Sequence, residues 1–163
     1  MIYFTSDTHF GHANAIKYCN RPYADVIEMN QVLTDRWNAR VKSGDTVYHL
    51  GDFALGPVTE LDGHRAKLAG NIILVKGNHD RSKGRMLAAG FQEVVSELYL
   101  ELEGERLFLH HQPMLGDVWK DRAEVHLCGH VHTEWSRIGT IINVGVDVRS
   151  FEPKTLAELL SDL

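Results

Sequence analysis

Asp7 and His9, Asp52, Asn78 and His79, His110 and His111, and His130 and His132 each follow a short apolar run. These groups offer carboxylate, amide and imidazole, and no thiolate. Such a set suits borderline divalent metals (Mn, Fe, Zn or Ni), and spacing does not choose among them. It is too large for one four-coordinate ion. It matches two adjacent ions that share a carboxylate, an arrangement that clamps an in-line displacement at phosphorus. Histidine is the commonest side-chain metal ligand, and ten in 163 residues is the one unusual count in the composition.

A frame must bring these loops together. Ile72–Val75 is an unbroken apolar run too short for a helix, which predicts a strand buried on both faces, as in parallel sheets. Gly77 then lets the backbone turn. Asn78, His79 and Asp80 arrive at the strand's carboxyl end, where open α/β sheets bind ligands. The same grammar predicts strands over Ile2–Thr5, Thr46–Leu50, Arg106–Leu109, Val125–Cys128 and Ile138–Val144. Val94–Leu102 reads as one half-exposed strand that turns at Glu103-Gly104 into a hairpin.

Helices are expected over Ala13–Cys19, from Asp25 onward, over Pro57–Ala69 and from Ser82 to Ala89. Asp25 with Glu28 forms a capping-box pair. Val26, Met29, Leu33, Trp37 and Val41 then share one face. Pro57 suits a first helical turn and Gly70 a helix end, with Gly63 a weak point between. Gly116–Ala123 reads as polar and irregular. Thr155 and Glu158 open a last helix with Leu156, Leu159, Leu160 and Leu163 on its apolar side. There is no repeat, low-complexity tract or linker, so one domain over residues 1–163 is expected.

Composition sets bounds. The chain is 44% hydrophobic and 24% charged, ordinary for a soluble globular protein. Net charge is −5 with no basic block, which gives no broad nucleic-acid footprint. No apolar run approaches the roughly 20 residues of a membrane span. The opening M-I-Y-F-T-S-D lacks a positive leader and reads as strand, so a cytoplasmic chain is expected. Cys19 and Cys128 are expected as free buried thiols, with a single disulfide as the alternative.

In chain order, Asp7-Thr8-His9, Gly51-Asp52, Gly77-Asn78-His79-Asp80, a histidine two before Pro113, and Gly129-His130-Val131-His132 resemble the motifs of calcineurin-like metallophosphoesterases. The resemblance runs from residue 2 to about residue 145. T-S-D-T-H-F-G-H at the start and N-V-G-V-D near the end are similar to small prokaryotic and phage-type members. The resemblance implies an α/β fold of two stacked mixed β-sheets flanked by helices, a four-layer α/β/β/α sandwich. It implies one metal held by Asp7, His9, Asp52 and His132. It implies a second held by Asp52, Asn78, His111 and His130, with Asp52 bridging and Mn favoured. His111 is chosen over His110 from the family's H-x-P pattern. His79 would face the substrate and donate a proton to the leaving oxygen, and Asp80 would orient His79 through its other ring nitrogen. The chemistry is direct. Water held between two cations loses its proton near neutral pH and becomes the nucleophile. The cations draw charge off the phosphate oxygens, and an imidazole is a suitable acid for the leaving group at pH 7.

Other readings stand beside these. Taken singly, each metal-type residue could be a loop-end group capping a helix; occurring together, they favour the metal. His12 either reaches the phosphate or opens the helix that follows. Asn143, with Gly145, ends a strand and could line the pocket. His49, His64 and His126 have no assigned role. The family's protein phosphatases carry a later D-R-G whose arginine grips a phosphomonoester. Here Phe53-Ala54-Leu55-Gly56-Pro57 follow Asp52, which favours phosphodiesters. The predicted function is therefore phosphodiester hydrolysis in an open, shallow pocket. A phosphomonoesterase and a catalytically idle metal-binding module are the alternatives. The partner is a phosphate ester, with nucleotides, nucleic acid and small diesters all open.

Overall fold

Four short apolar runs pair in parallel: β1 (Ile2–Thr5), β2 (Thr46–His49), β3 (Asn71–Val75) and β4 (Glu93–Val95), in that spatial order. A second sheet holds β5 (Glu97–Leu102), β6 (Glu105–His110), β7 (Val125–Cys128), β8 (Arg137–Ile138) and β9 (Ile141–Asn143), in the order β5-β6-β7-β9-β8. Its centre, β6-β7-β9, is parallel and its two outer pairs are antiparallel. The computed structural model describes residues 1–161; Leu163, expected on the last helix, lies outside them. The α/β, two-sheet architecture agrees with the sequence reading, and of the two sheets only the second is mixed.

Parallel strands put all their carboxyl ends on one edge. The loops after β1, β2 and β3 therefore lie side by side, as do those after β6, β7 and β9. A bridge between Ser6 and Gly145, with Val146 N–H donating to Ser6 O at 3.0 Å, joins the two rows.

Apolar side chains fill three layers. Tyr3, Val47, Ile72, Leu74 and Val94 of the first sheet pack on Met29, Leu33 and Trp37 of helix α2 (Val26–Arg40) and on Leu61 and Met86. Phe4, Leu50 and Val75 face Leu107, Leu109, Leu127 and Ile142 between the sheets, closed by Leu156 and Leu159 of the last helix. The outer face of the second sheet is covered by Trp119 and Ala123. They come from a stretch of turns rather than a helix, even though the stretch is mostly polar. Among the described residues no helix is long and apolar enough to cross a membrane, and both cysteines are free and buried.

Three boundaries differ from the sequence reading. The expected Pro57–Ala69 helix is a 3-10 turn (Val58–Glu60) and a short helix (Leu61–Ala66). It stops because α2 takes over the backbone beyond it. Trp37 Nε1 donates to Ala69 O, and the Asn38 amide bonds Lys67 O and Ala69 N–H. The Val94–Leu102 run splits at Ser96: its first part pairs with β3, its second with β6. Alternation cannot register a change of partner. The late run folds back at Gly139, φ +58°, into β8 and β9. Asp25 caps α2 as expected, accepting Glu28 N–H at 2.9 Å, although Glu28 reaches back to Ala24 rather than to Asp25.

Candidate metal centre

Asp7, His9, Asp52, His130 and His132 all hold φ in the left-handed region, at +57°, +51°, +55°, +73° and +46°. Each such residue costs about 1–2 kcal/mol in a side chain other than glycine. Strain of this kind persists only where surroundings over-determine it, and it gathers at functional sites. The surroundings are visible. Asp80 accepts N–H bonds from Gly77 (2.7 Å), Asp52 (2.8 Å) and Phe53 (2.9 Å). Asp52 Oδ1 accepts His79 N–H at 2.9 Å, and Asp7 Oδ2 accepts His130 N–H at 2.9 Å. A Cβ at Gly77 would strike the Asp52 carboxylate, and one at Gly129 would strike Ser6 and the Asp7 carboxylate. Both motif glycines thus exist for close approach.

Two groups of ligand-type atoms result. In the first, Asp7 Oδ1 lies 3.9 Å from His9 Nε2 and 3.9 Å from His132 Nε2, and His9 Nε2 lies 3.7 Å from Asp52 Oδ2. Asp7 Oδ1 and both His9 ring nitrogens are buried and have no hydrogen-bond partner. Buried polar atoms are normally satisfied. Atoms bound at about 2.1 Å to one ion stand roughly 3–4 Å apart, so these spacings fit a cation rather than direct contact. Burial pushes the Asp7 carboxyl up and pulls His9 down to about 3.

In the second group, Asp52 Oδ2 stands 3.4 Å from His111 Nε2. Asn78 Oδ1 lies 2.9 Å from His111 Nε2 and 3.1 Å from His130 Nδ1, and those nitrogens are 3.3 Å apart. His111 Nδ1 donates to Leu50 O at 2.7 Å, which leaves its Nε2 lone pair aimed inward. Burial opposes a charge on Asp52, but a positive charge at His111 Nε2, from a proton or from a cation in its place, outweighs burial and holds the carboxyl well below the usual range. One oxygen, Asp52 Oδ2, faces both groups.

Several residues that brace the candidate site escaped the sequence reading. Asp147 Oδ2 accepts from His132 Nδ1 at 2.8 Å, and Cys19 Sγ lies 3.3 Å from the same nitrogen. Burial would lower His132, yet the bonds to Asp147 and Cys19 raise it to about 10. Arg21 grips Asp147 at 2.8 and 3.0 Å and donates to the carbonyls of Asp7 and Thr8 at 2.7 and 2.9 Å. His49 is fully buried beneath the two loops. Its Nδ1 accepts Gly51 N–H at 3.3 Å and its Nε2 bonds the Thr8 hydroxyl at 3.0 Å, tying one loop to the other. The last residue of N-V-G-V-D was the one sequence signal pointing to Asp147.

Two expected roles are corrected. Asp80 spends its carboxylate on the three backbone donors and so fixes the Asp52 loop rather than aiming the His79 ring. Asn143 is fully buried. Its amide bonds the carbonyls of His132 and Trp135 and the N–H of Gly145, so it pins a loop and does not line the pocket. The His79 ring is exposed at the cleft, 5.8 Å from His9 between centroids. His12 occupies the position before helix α1 (Ala13–Tyr18), but its side chain caps nothing; the ring lines the cleft, 5.4 Å from His9. His110 Nδ1 bonds Gln112 O at 2.8 Å and its ring stacks on Phe108, away from both groups.

The chain matches the profile of the calcineurin-like phosphoesterase superfamily domain over residues 1–153. It is 35% identical over 171 residues to the uncharacterized protein MJ1445 of Methanocaldococcus jannaschii, covering 95% of this chain and 86% of that protein. It is 28% identical over 177 residues to the gene 66 protein of Mycobacterium phage D29, covering 90% and 87%. A solved structure, the protein of unknown function AQ665 from Aquifex aeolicus, shares 28% identity and a TM-score of 0.78, over 100% of this chain and 99% of that one.

Proposed function

This chain belongs to the calcineurin-like phosphoesterase superfamily, and from that premise we propose that it is a dinuclear metal-dependent hydrolase of phosphodiesters. One observation carries the reading: Asp52 Oδ2 faces both ligand groups, 3.7 Å from His9 and 3.4 Å from His111. Asp7, His9, His132 and Asp52 would hold one divalent ion. Asp52, Asn78, His111 and His130 would hold the other. Oxygen and imidazole donors of this mix accept Mn, which we favour, as well as Fe, Zn or Ni. A bound cation pair would supply an activated water and draw charge from the phosphate oxygens.

The remaining work falls to the chain. His79 stands exposed at the cleft with its ring free to meet a leaving oxygen, and an imidazole there donates the proton that the departing alkoxide needs. Its backbone N–H, not its ring, is what holds Asp52. Diesters are favoured because the residue after Asp52 is Phe53, fully buried against Phe10 and Phe91. The stretch from Phe53 to Pro57 has no arginine of its own to grip the second charge of a monoester, and the Arg81 guanidinium that reaches it bonds Gly56 O.

The test is hydrolysis of bis-p-nitrophenyl phosphate and p-nitrophenyl phosphate by protein carrying two Mn ions per chain. We expect faster turnover of the diester. Replacing His79 by Ala should keep both ions yet slow an ester with a poor leaving group roughly 100-fold. No turnover with any divalent metal, at a confirmed two ions per chain, would leave only a metal-binding module.

A further inference from the structure

The metal-type groups open onto a cleft of about 560 Å³, within the range of small-ligand sites. His9, His79, His130 and His132 form its inner end. The outer part is different in character. Leu55 and Val131 line it with apolar surface, Tyr18 and His12 with rings, and Thr133 and Glu134 with a hydroxyl and a carboxylate. Tyr18 is 77% exposed, and of the exposed large apolar side chains among the described residues it alone borders this cleft. Its ring meets His12 edge-on at 6.4 Å, and His12 in turn lies 5.4 Å from His9. A row of rings therefore leads outward from a metal-type residue to an open aromatic face.

We propose that this outer cleft is a subsite for a nucleobase, with Tyr18 as its stacking face, so that the ester hydrolysed is that of a small nucleotide. The inference rests on the phosphoesterase reading above and names its substrate class. An aromatic face left open beside a phosphate site is sequence-tolerant recognition for a base, since every base has a π-face. Thr133 and Glu134 offer the acceptors and donor that a base edge pairs with and that an alkyl chain would leave unpaired. Among the described residues no lysine or arginine lines the cleft. A nucleic-acid strand running along it would present further phosphates and would need such cations, so a single nucleotide fits better than a polymer.

The test is direct binding to the Mn-loaded chain, by calorimetry, of adenosine 5′-monophosphate, ribose 5-phosphate and octyl phosphate. The nucleotide should bind about tenfold tighter than the sugar phosphate, within the range that base stacking on an aromatic side chain supplies. In Tyr18→Ala that ratio should fall close to one, and in Tyr18→Phe it should persist. The exposure of Tyr18 makes truncation harmless to folding. A ratio near one in the native chain would overturn the subsite. So would a ratio unchanged in Tyr18→Ala, octyl phosphate matching the nucleotide, or no binding of either phosphate. Binding is read without turnover. Failure of hydrolysis with the ratio intact would remove the enzyme reading alone, and hydrolysis with a ratio of one would remove the subsite alone.

Discussion

Asp147 governs His132 through a single bond of 2.8 Å, and Arg21 holds Asp147 with two of its nitrogens. The Arg21 and Asp147 side chains are almost wholly buried. Because the same guanidinium also grips the carbonyls of Asp7 and Thr8, it steadies the left-handed turn at Asp7 as well as the His132 ring. Asp147→Asn keeps the shape and removes the charge. His132 should lose its raised value, and affinity at the Asp7–His9–His132 group should fall 10–100-fold, the scale of a lost partner behind a ligand. The Asn78–His111–His130 group should be little changed. A two-step metal titration reads this; two ions bound as in the native chain would show that Asp147 orients nothing. The meeting of Asp7, His9, Asp52, Asn78, His111, His130 and His132 was legible because each lies within a few residues of a strand's carboxyl end. Arg21 and Asp147 were not, since they lie 126 positions apart and pair only once the loops after β1 and β9 meet at the Ser6–Gly145 bridge.

The loop covering the second sheet shows how an element can be anchored by one histidine. His126 Nδ1 donates to Phe108 O at 3.1 Å, and its Nε2 accepts Met114 N–H at 3.0 Å. Trp119 packs over the ring at 5.4 Å and donates its Nε1–H to Met114 O. Burial pulls His126 down to about 4, so the folded chain keeps it neutral. As pH falls below the unfolded value of 6.5, the unfolded chain takes up a proton that the folded chain refuses. Stability from this group is therefore full above pH 6.5, declines as pH falls, and levels off below about 4. Between pH 6.5 and 5 the loss is about 1.5 kcal/mol. His126→Gln should melt lower at pH 7 but show a shallower decline toward pH 5; an equally steep decline would place the acid sensitivity elsewhere. Strands such as β3 and β7 were readable as apolar runs. The burial of Trp119 was not, because one aromatic in a polar stretch makes no period, and the split at Ser96 was hidden because Val94, Leu98, Leu100 and Leu102 keep one phase on both sides of it.

For the molecule as a whole, two rows of strand-end loops are held face to face with strained turns, an orphaned buried carboxylate oxygen and converging imidazoles. That arrangement opposes folding unless something binds at the meeting point. A cation that binds the folded chain alone stabilises it by about 2.7 kcal/mol per site at 100 times its dissociation constant. For a chain of this size each kcal/mol moves the melting temperature by about 2–4 °C, so one site should raise it by roughly 5–10 °C. Saturating Mn should thus lift the melting point of chelator-treated protein, and the lift should grow with Mn concentration. Binding must also displace protons. His132 is raised to about 10 and the Asp7 carboxyl is raised by burial, so lower pH favours the protonated, cation-free form. The lift should therefore shrink from pH 8 to pH 6. Asp52→Asn should lose most of it, because both groups lean on that carboxylate, whereas His79→Ala should keep it. Equal melting with and without Mn at both pH values, or a full lift in Asp52→Asn, would mean that the two rows of loops meet for some purpose other than sharing a cation pair.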